Sequence, residues 1–463
     1  MNWSRTQDSW SPSESQMARG LHLFFTHVSP FVPFLHRPTF DTTQAAEYLV
    51  LGMLCLAYQY GEDPECGDQV GSGVSLSESC FEHARTAISS GEETMGNAST
   101  NKLSLIQAYL LLQIYAMFYV CGSESAYGLE THSKMIAFAR AGGFMQPIRV
   151  ESSDTKDLDS LWRKSITAES KKRTLFAAHQ IDALWYQFLS IPRRLSHLEI
   201  KHDLPCPEED WKAASAIDWA HGKLVATQSG SLLSYPDAVR CFLSPDTDFS
   251  TIPAFDPYGA INITHFIVSS AREISGWCTM TGLFSMERLV PLQTSMFALG
   301  SFIRAKVEIS GVNHAALCEA TWESAMVEAQ LWSSTHTRGV VGGSMDTVLQ
   351  QLTDLATSGD FMCEPDAAEL IRPHIDWFLR YLDQPVVPDA EAPWVTLYAF
   401  KAFMIAWGFV SRGLGSMEFV GIQDGDTEGA LVWAQICFGR RKRWQLGKII
   451  MSILGRLRNS VTK

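Results

Sequence analysis

The chain has 463 residues, 46% of them apolar and 19% charged, a composition ordinary for a soluble globular protein with a sizeable core, in one large body or a few domains. Its formal net charge of −13 sets the body as a whole against holding a phosphate backbone by charge. The ten cysteines are scattered without any Cys-x-x-Cys, which argues against both a disulfide framework and a zinc knuckle, and the polar N-terminus carries no charged-then-apolar signal segment, which argues against secretion.

Residues 1–30 read as a loose lead-in, Ser, Gln and Trp mixed with little periodicity. Prolines 30, 33 and 38 mark an extended segment, and Thr42 to Tyr60 reads as a helix capped by Asp41 or Thr42. A glycine- and acid-rich loop over 61–73 precedes two helices, Ser77–Ser90 and Asn101–Tyr119, expected to pair antiparallel across a Gly91–Thr100 linker. Glu130 to Gly142 continues as a helix that stops at Gly142-Gly143.

The longest amphipathic pattern starts near Asp154 or Asp157. Leu158, Leu161, Trp162, Ile166, Ile181, Leu184, Trp185 and Phe188 recur at three- and four-residue spacing until Pro192 ends the helix. Prolines at 192, 205, 207, 236, 245, 253 and 257 make 190–258 read as a long surface connection and the junction of two halves. Helical periodicity resumes at Ile261–Trp277, Met286–Ser310, Ala315–Ser333, Thr347–Leu355, Ala367–Tyr381, Trp394–Val410 and Gly429–Arg458. Strand-like alternation bounded by turns is nearly absent, so the predicted class is all-α. The predicted sections are the lead-in 1–30, an N-terminal half 31–235 and a C-terminal helical half 236–463 with a basic end.

Leu103 to Gly122 carries no charge over twenty residues and is just long enough to span a bilayer. Gln107, Gln113, Tyr109, Tyr115 and Tyr119 dilute it, so a buried core helix is the expectation and no membrane partner is assigned. Lys401 interrupts the second apolar stretch, 394–410.

Catalytic motifs are missing. Gly71-Ser72-Gly73 and Gly342-Gly343-Ser344 lack the spacing and the lysine of a phosphate-cradling loop. No Gly-x-Ser-x-Gly elbow and no paired-aspartate motif occurs. Cys66 with Cys80 and His83 is a faint metal candidate without a fourth ligand. His36 reads as a polar residue orienting a turn rather than a catalytic base. No enzyme activity is expected. Glu169 and Arg173, one helical turn apart, form either a partly buried pair that fixes packing or a solvated surface pair; Trp162, Leu175 and Phe176 crowd the same turns and favour the first.

Arg440-Arg441-Lys442-Arg443 lies in a segment from Leu431 onward that contains no Asp or Glu. Four adjacent cations read as a nuclear import signal or a phosphate contact, or else as a solvated helix face packed on the body through Ile449, Ile450, Ile453, Leu454 and Leu457.

Several of these segments together resemble one family. Phe34, His36, Pro38 and Phe40 look like its opening motif and Leu103–Tyr119 like its glutamine-containing buried helix. Trp162, Glu169 and Arg173 on the long helix, followed by Pro192-Arg193-Arg194, Pro205 and Trp211, look like its central signature. The family is the middle homology, or regulatory, domain of fungal transcription factors, attached to zinc-finger or binuclear zinc-cluster DNA-binding segments.

The resemblance implies a nuclear transcription regulator that dimerises, with itself or a relative, and contacts the transcription machinery or other regulators, controlling a metabolic or biosynthetic gene set. The thirty residues before Phe31 contain no cysteine, so zinc, expected only in a DNA-binding segment, is not expected here. DNA contact is expected through the basic C-terminus or through a partner. Two other readings stay open, an all-α ligand-binding protein or enzyme without a recognisable motif, and an inhibitor that sequesters related regulators.

Overall fold

A computed structural model describes residues 10–67, 69–94, 99–148, 157–226, 233–244, 252, 255–276, 286–307, 312–331, 342–358, 365–415 and 417–461. These residues form seventeen α-helices. In chain order they are α1 (Glu14–Leu23), α2 (Glu47–Ala57), α3 (Ser72–Thr94), α4 (Ser99–Ile114), α5 (Ser125–Ala141) and α6 (Leu158–Leu189). There follow α7 (Glu208–Trp211), α8 (Ala216–Ala226), α9 (Tyr235–Leu243), α10 (Pro257–Gly276), α11 (Met286–Val307) and α12 (Val312–Leu331). The last five are α13 (Met345–Ser358), α14 (Pro365–Asp383), α15 (Pro393–Val410), α16 (Thr427–Gly439) and α17 (Gln445–Val461). Among the described residues the β pairing is a single antiparallel bridge, Asp203 with Ser234. The class is all-α, as the absence of strand-like alternation predicts.

The helices are held by one continuous apolar core that runs from Leu23 and Phe24 to Ile453 and Leu457. α2 lies between α3 and α4, α4 packs on α5 and α6, and α6 packs on α10. α10 joins α11 and α12, and α14 and α15 continue the stack to α16 and α17. α17 then returns to α13 and to the π-helical turn Tyr115–Val120 that extends α4. The two expected halves therefore share one interior. Lys102–Val120 and Pro393–Val410 are long and apolar enough to cross a membrane by length and composition, but 83% and 94% of these stretches are buried in the body, the position of core helices.

Several expectations are corrected. The lead-in is helical from Glu14. Ser13 Oγ accepts from Gln16 N while Gln16 Oε1 accepts from Ser13 N, a reciprocal cap. Leu23, Phe24 and Val28 at the end of this segment are core residues, and residues 1–9 lie outside the described ones. α2 starts at Glu47, because Asp41 spends its carboxylate on Thr43 N and Oγ1 in a preceding turn. α3 packs mainly on α2, and α4 on α5 and α2, instead of on each other, and residues 95–98 of the expected linker are outside the described set.

At α6, Asp157 is the cap and accepts from the N–H groups of Asp159 and Ser160; the alternative start, Asp154, lies outside the described residues. The helix closes with Ser190 left-handed at φ 58, two residues before Pro192. The proline-rich stretch after it is not a surface connection. Leu195, Ile200, Leu204, Cys206, Trp211, Tyr235 and Phe242 are all buried, and three helices, α7 to α9, lie within it. Pro207, Pro236 and Pro257 there stand at the starts of α7, α9 and α10 without moving the chain to the surface. The expected C-terminal helix 429–458 is two helices with a turn at 440–444 between them. Gly447 permits the turn, since a Cβ there would overlap the carbonyl oxygen of Arg441.

Candidate functional site

The residues of the central signature converge around α6. Arg173 is fully buried, and its Nε donates to Glu169 Oε1 at 3.0 Å. Its Nη2 donates to the Cys206 carbonyl at 2.8 Å, and the guanidinium lies 4.8 Å from the centroid of a Trp211 ring. Glu169 Oε1 also accepts from Cys206 N at 2.9 Å, while Oε2 is 2.6 Å from Lys172 Nζ. Pro205, itself buried, precedes the Cys206 peptide that Glu169 and Arg173 grip from both sides.

The opening motif docks on the same place. His36 stands edge-on to Trp162 at 6.0 Å and tilted to Trp211 at 5.0 Å, and its Nδ1 is 2.8 Å from Thr39 Oγ1. Ser170 Oγ donates to the Phe34 carbonyl at 2.7 Å. Pro38 sits exposed in the first turn of a short 3₁₀ segment, Arg37–Thr39, and Phe40 packs edge-on to Phe25 at 5.9 Å. Trp162, Ile166, Cys206 and Trp211 form a second, smaller core of their own. The Glu169–Arg173 pair is thus a buried structural one.

The electrostatics fit a clamp and not a reaction centre. Burial works against the charge of Glu169, but Lys172, Arg173 and the Cys206 N–H outweigh it and hold the carboxyl down at about 2. Burial lowers His36 to about 4, so it is neutral at physiological pH. Burial pushes the Cys206 thiol up to about 12, which removes it as a nucleophile. Glu169 lines a cleft of about 170 Å³ with both of its oxygens occupied.

A second polar network runs through α4, α5 and α6, and nothing in the sequence reading anticipated it. Trp185 Nε1 donates to Gln113 Oε1 at 3.2 Å, and Gln113 Nε2 donates to the Tyr109 carbonyl, which fixes the amide orientation. His132 Nδ1 lies 3.1 Å from the same Gln113 oxygen and its Nε2 lies 2.8 Å from Asp182 Oδ1. A glutamine oxygen and a carboxylate thus face the two ring nitrogens. Asp182 Oδ2 accepts the backbone N–H groups of Arg194 and Leu195 at 3.0 and 2.9 Å. Burial would raise the Asp182 carboxyl, but His132 and these two amides hold it below the usual carboxylate range. The available signal was a carboxylate between Ile181 and Ala183 in an apolar run, which needs a buried partner.

Above those amides the 192–196 loop, with Tyr186, Glu199 and Glu273, walls a pocket of about 330 Å³. Arg193 donates through Nε and Nη2 to Glu273 Oε1 at 3.0 and 2.7 Å, and Arg140 pairs with Glu199 at 2.8 Å.

The four C-terminal cations are not brought together as one face. Arg441 is buried and makes a two-point pair with Glu391. Arg443 donates to Glu62 Oε1 and to the Gly61 carbonyl, both at 2.8 Å. Arg440 and Lys442 are exposed, and Arg440 reaches the Leu382 and Gln384 carbonyls. Among the metal candidates, Cys80 is buried, Cys66 is exposed and His83 stacks on Trp10 at 4.8 Å. Among the described residues no group of three metal-binding side chains assembles.

The sequence pattern of the fungal specific transcription factor domain matches residues 21–244, which hold the Phe34–Phe40 segment, α6 and the Cys206 grip. Over 269 residues the chain is 22% identical to the nicotinate catabolism cluster-specific transcription factor of Emericella nidulans, covering 57% of this chain and 27% of that protein. It is 24% identical over 269 residues to zinc finger protein zas1 of Schizosaccharomyces pombe, covering 54% of this chain and 28% of that protein. The matched region thus spans little more than a quarter of either relative. No solved structure matches the chain.

Proposed function

We propose that this chain is a transcription regulator acting in the nucleus, and that its helical body works by protein contact and conformational control instead of by catalysis. The observation that carries this reading is the fungal specific transcription factor domain over residues 21–244, with two relatives named as a transcription factor and a zinc finger protein. Its partners are the transcription machinery or other regulators, met as a homodimer or heterodimer. The name of the Emericella nidulans relative supports a metabolic or biosynthetic gene set as the target.

DNA is reached through a partner or through the exposed cations of the C-terminal turn. Arg440 and Lys442 are the side chains we assign to import or phosphate contact, because Arg441 and Arg443 are spent on Glu391 and Glu62. No cofactor is assigned to the described body.

The test is chromatin occupancy of the tagged full chain in its native host, beside a variant carrying Arg440→Ala and Lys442→Ala. Reproducible occupancy at discrete promoters is the expected result. A protein that stays in the cytosol and occupies none would sink the reading.

A further inference from the structure

Trp433, Ile436 and Arg440, the last at the C-terminal cap of α16, are spaced by three and four residues and share one face. Both ends of that face are bonded to the end of α14. Trp433 Nε1 donates to Asp383 Oδ1 at 3.0 Å, and Arg440 donates to the Leu382 and Gln384 carbonyls. Ile436, held between these two anchors, is nevertheless 59% exposed, and Val386, two residues beyond Gln384, is 73% exposed. Single exposed apolar side chains are ordinary, but a pair fixed side by side within a charged rim has the composition of a contact face.

The rim carries opposite signs at opposite ends. Asp383 receives a neutral indole N–H and Arg440 donates to neutral carbonyls, and among the described residues neither forms an ion pair. Along α16 the order is therefore acid beside Trp433, Ile436 in the middle and base at Arg440, a span of about 10 Å from the helical rise. A second α16 laid antiparallel across the first, with a two-fold axis at Ile436, brings each Arg440 to an Asp383 and the two isoleucines together. A parallel arrangement would set acid on acid and base on base. The face is complementary to itself, so the occupant it fits is a second copy of this chain.

We propose that this chain forms a two-fold homodimer in which α16 packs antiparallel on α16 of a second copy, with Ile436 and Val386 covered at the centre and Arg440 paired with Asp383 of the partner subunit at both ends. The face gives the homodimer of the regulatory reading its surface, and rests on that reading for its biological use. In the dimer Arg440 is engaged, so Lys442 keeps the import or phosphate contact.

The experiment is sedimentation equilibrium of the purified full chain over a range of micromolar concentrations, where a reversible monomer–dimer equilibrium is expected. Ile436→Asp and Val386→Asp, both at exposed positions, weaken it about tenfold or more while the far-UV helical signal is kept. Asp383→Arg and Arg440→Asp each set like charges together at both ends and weaken self-association about tenfold or more. A one-to-one mixture of those two variants restores opposite charges at both ends, and is expected to dimerise within about threefold of the unaltered chain. Misfolded protein cannot give this rescue. A chain that stays monomeric up to about 100 μM, a dimer untouched by Ile436→Asp, or a mixture no tighter than its components would each overturn the face. Promoter occupancy by a monomeric chain would remove the face and spare the regulator, and a dimer without promoter occupancy would spare the face.

Discussion

Glu391 receives the Arg441 guanidinium at two points, Nε to Oε1 and Nη2 to Oε2 at 2.7 Å each, where the two side chains are 0% and 2% exposed. Thr396 Oγ1 and the Tyr381 hydroxyl also donate to this carboxylate, so the turn between α16 and α17 is anchored to the start of α15 and to α14. Removing one partner strands a buried charge. Arg441→Ala is expected to cost about 3–5 kcal/mol, read as a lower urea midpoint. Arg440→Ala with Lys442→Ala, which removes exposed side chains and the Arg440 bonds to the Leu382 and Gln384 carbonyls, lowers that midpoint far less, so a four-residue alanine block would confuse unfolding with lost import.

Glu169 gives the protein an acid limit. Its folded pKa, about 2, lies below the ordinary glutamate value, so its contribution is fully present above about pH 4.5 and is lost as pH falls towards 2. That contribution is on the order of 3 kcal/mol. Glu169→Gln is expected to lower stability at neutral pH and to flatten the fall between about pH 4.5 and 2, followed by chemical unfolding at a series of pH values.

Asp182→Asn leaves the 194–195 amides facing a weaker acceptor and His132 facing a neutral one. The expected loss is about 2–4 kcal/mol. Amide exchange reports it locally, since protection at Arg194 and Leu195 should fall more than protection in α2. Equal loss at both places would remove Asp182 as the support of the loop.

Gly73 stands where a Cβ would overlap the Gly61 carbonyl oxygen, and its N–H donates to Glu62 Oε2 at 2.9 Å. Gly73→Ala must push apart two backbones, one of which Arg443 also holds through the Gly61 carbonyl. A loss of about 1–3 kcal/mol is expected, measured by thermal unfolding.

The long helix and its grip on Cys206 were legible because their cues are local. Trp162, Glu169 and Arg173 share one face by spacing, and Pro205 and Trp211 follow within the same pattern. Ser13 and Gln16 were equally local, a capping pair three residues apart, but the polar composition around them outweighed the cue. The Arg441 pairing was not legible, since Glu391 lies fifty residues earlier and a run of four cations carries no mark of which one turns inward. The same holds for Asp182 and His132, which are joined across fifty residues through two helices. Prolines between 190 and 258 report helix boundaries, Pro192 after an end and Pro207, Pro236 and Pro257 at starts, and are silent on burial.

The order of synthesis gives the C-terminal turn a further meaning. α15 is an eighteen-residue apolar helix, and α16, which covers it, leaves the ribosome late, with Arg441 and α17 later still. A product ended by a premature stop between α15 and α16 carries an uncovered apolar helix and a lone buried carboxylate at Glu391. Such a chain is expected to be taken by chaperones and proteases, so nonsense mutations between the codons of α15 and α16 should behave as null alleles.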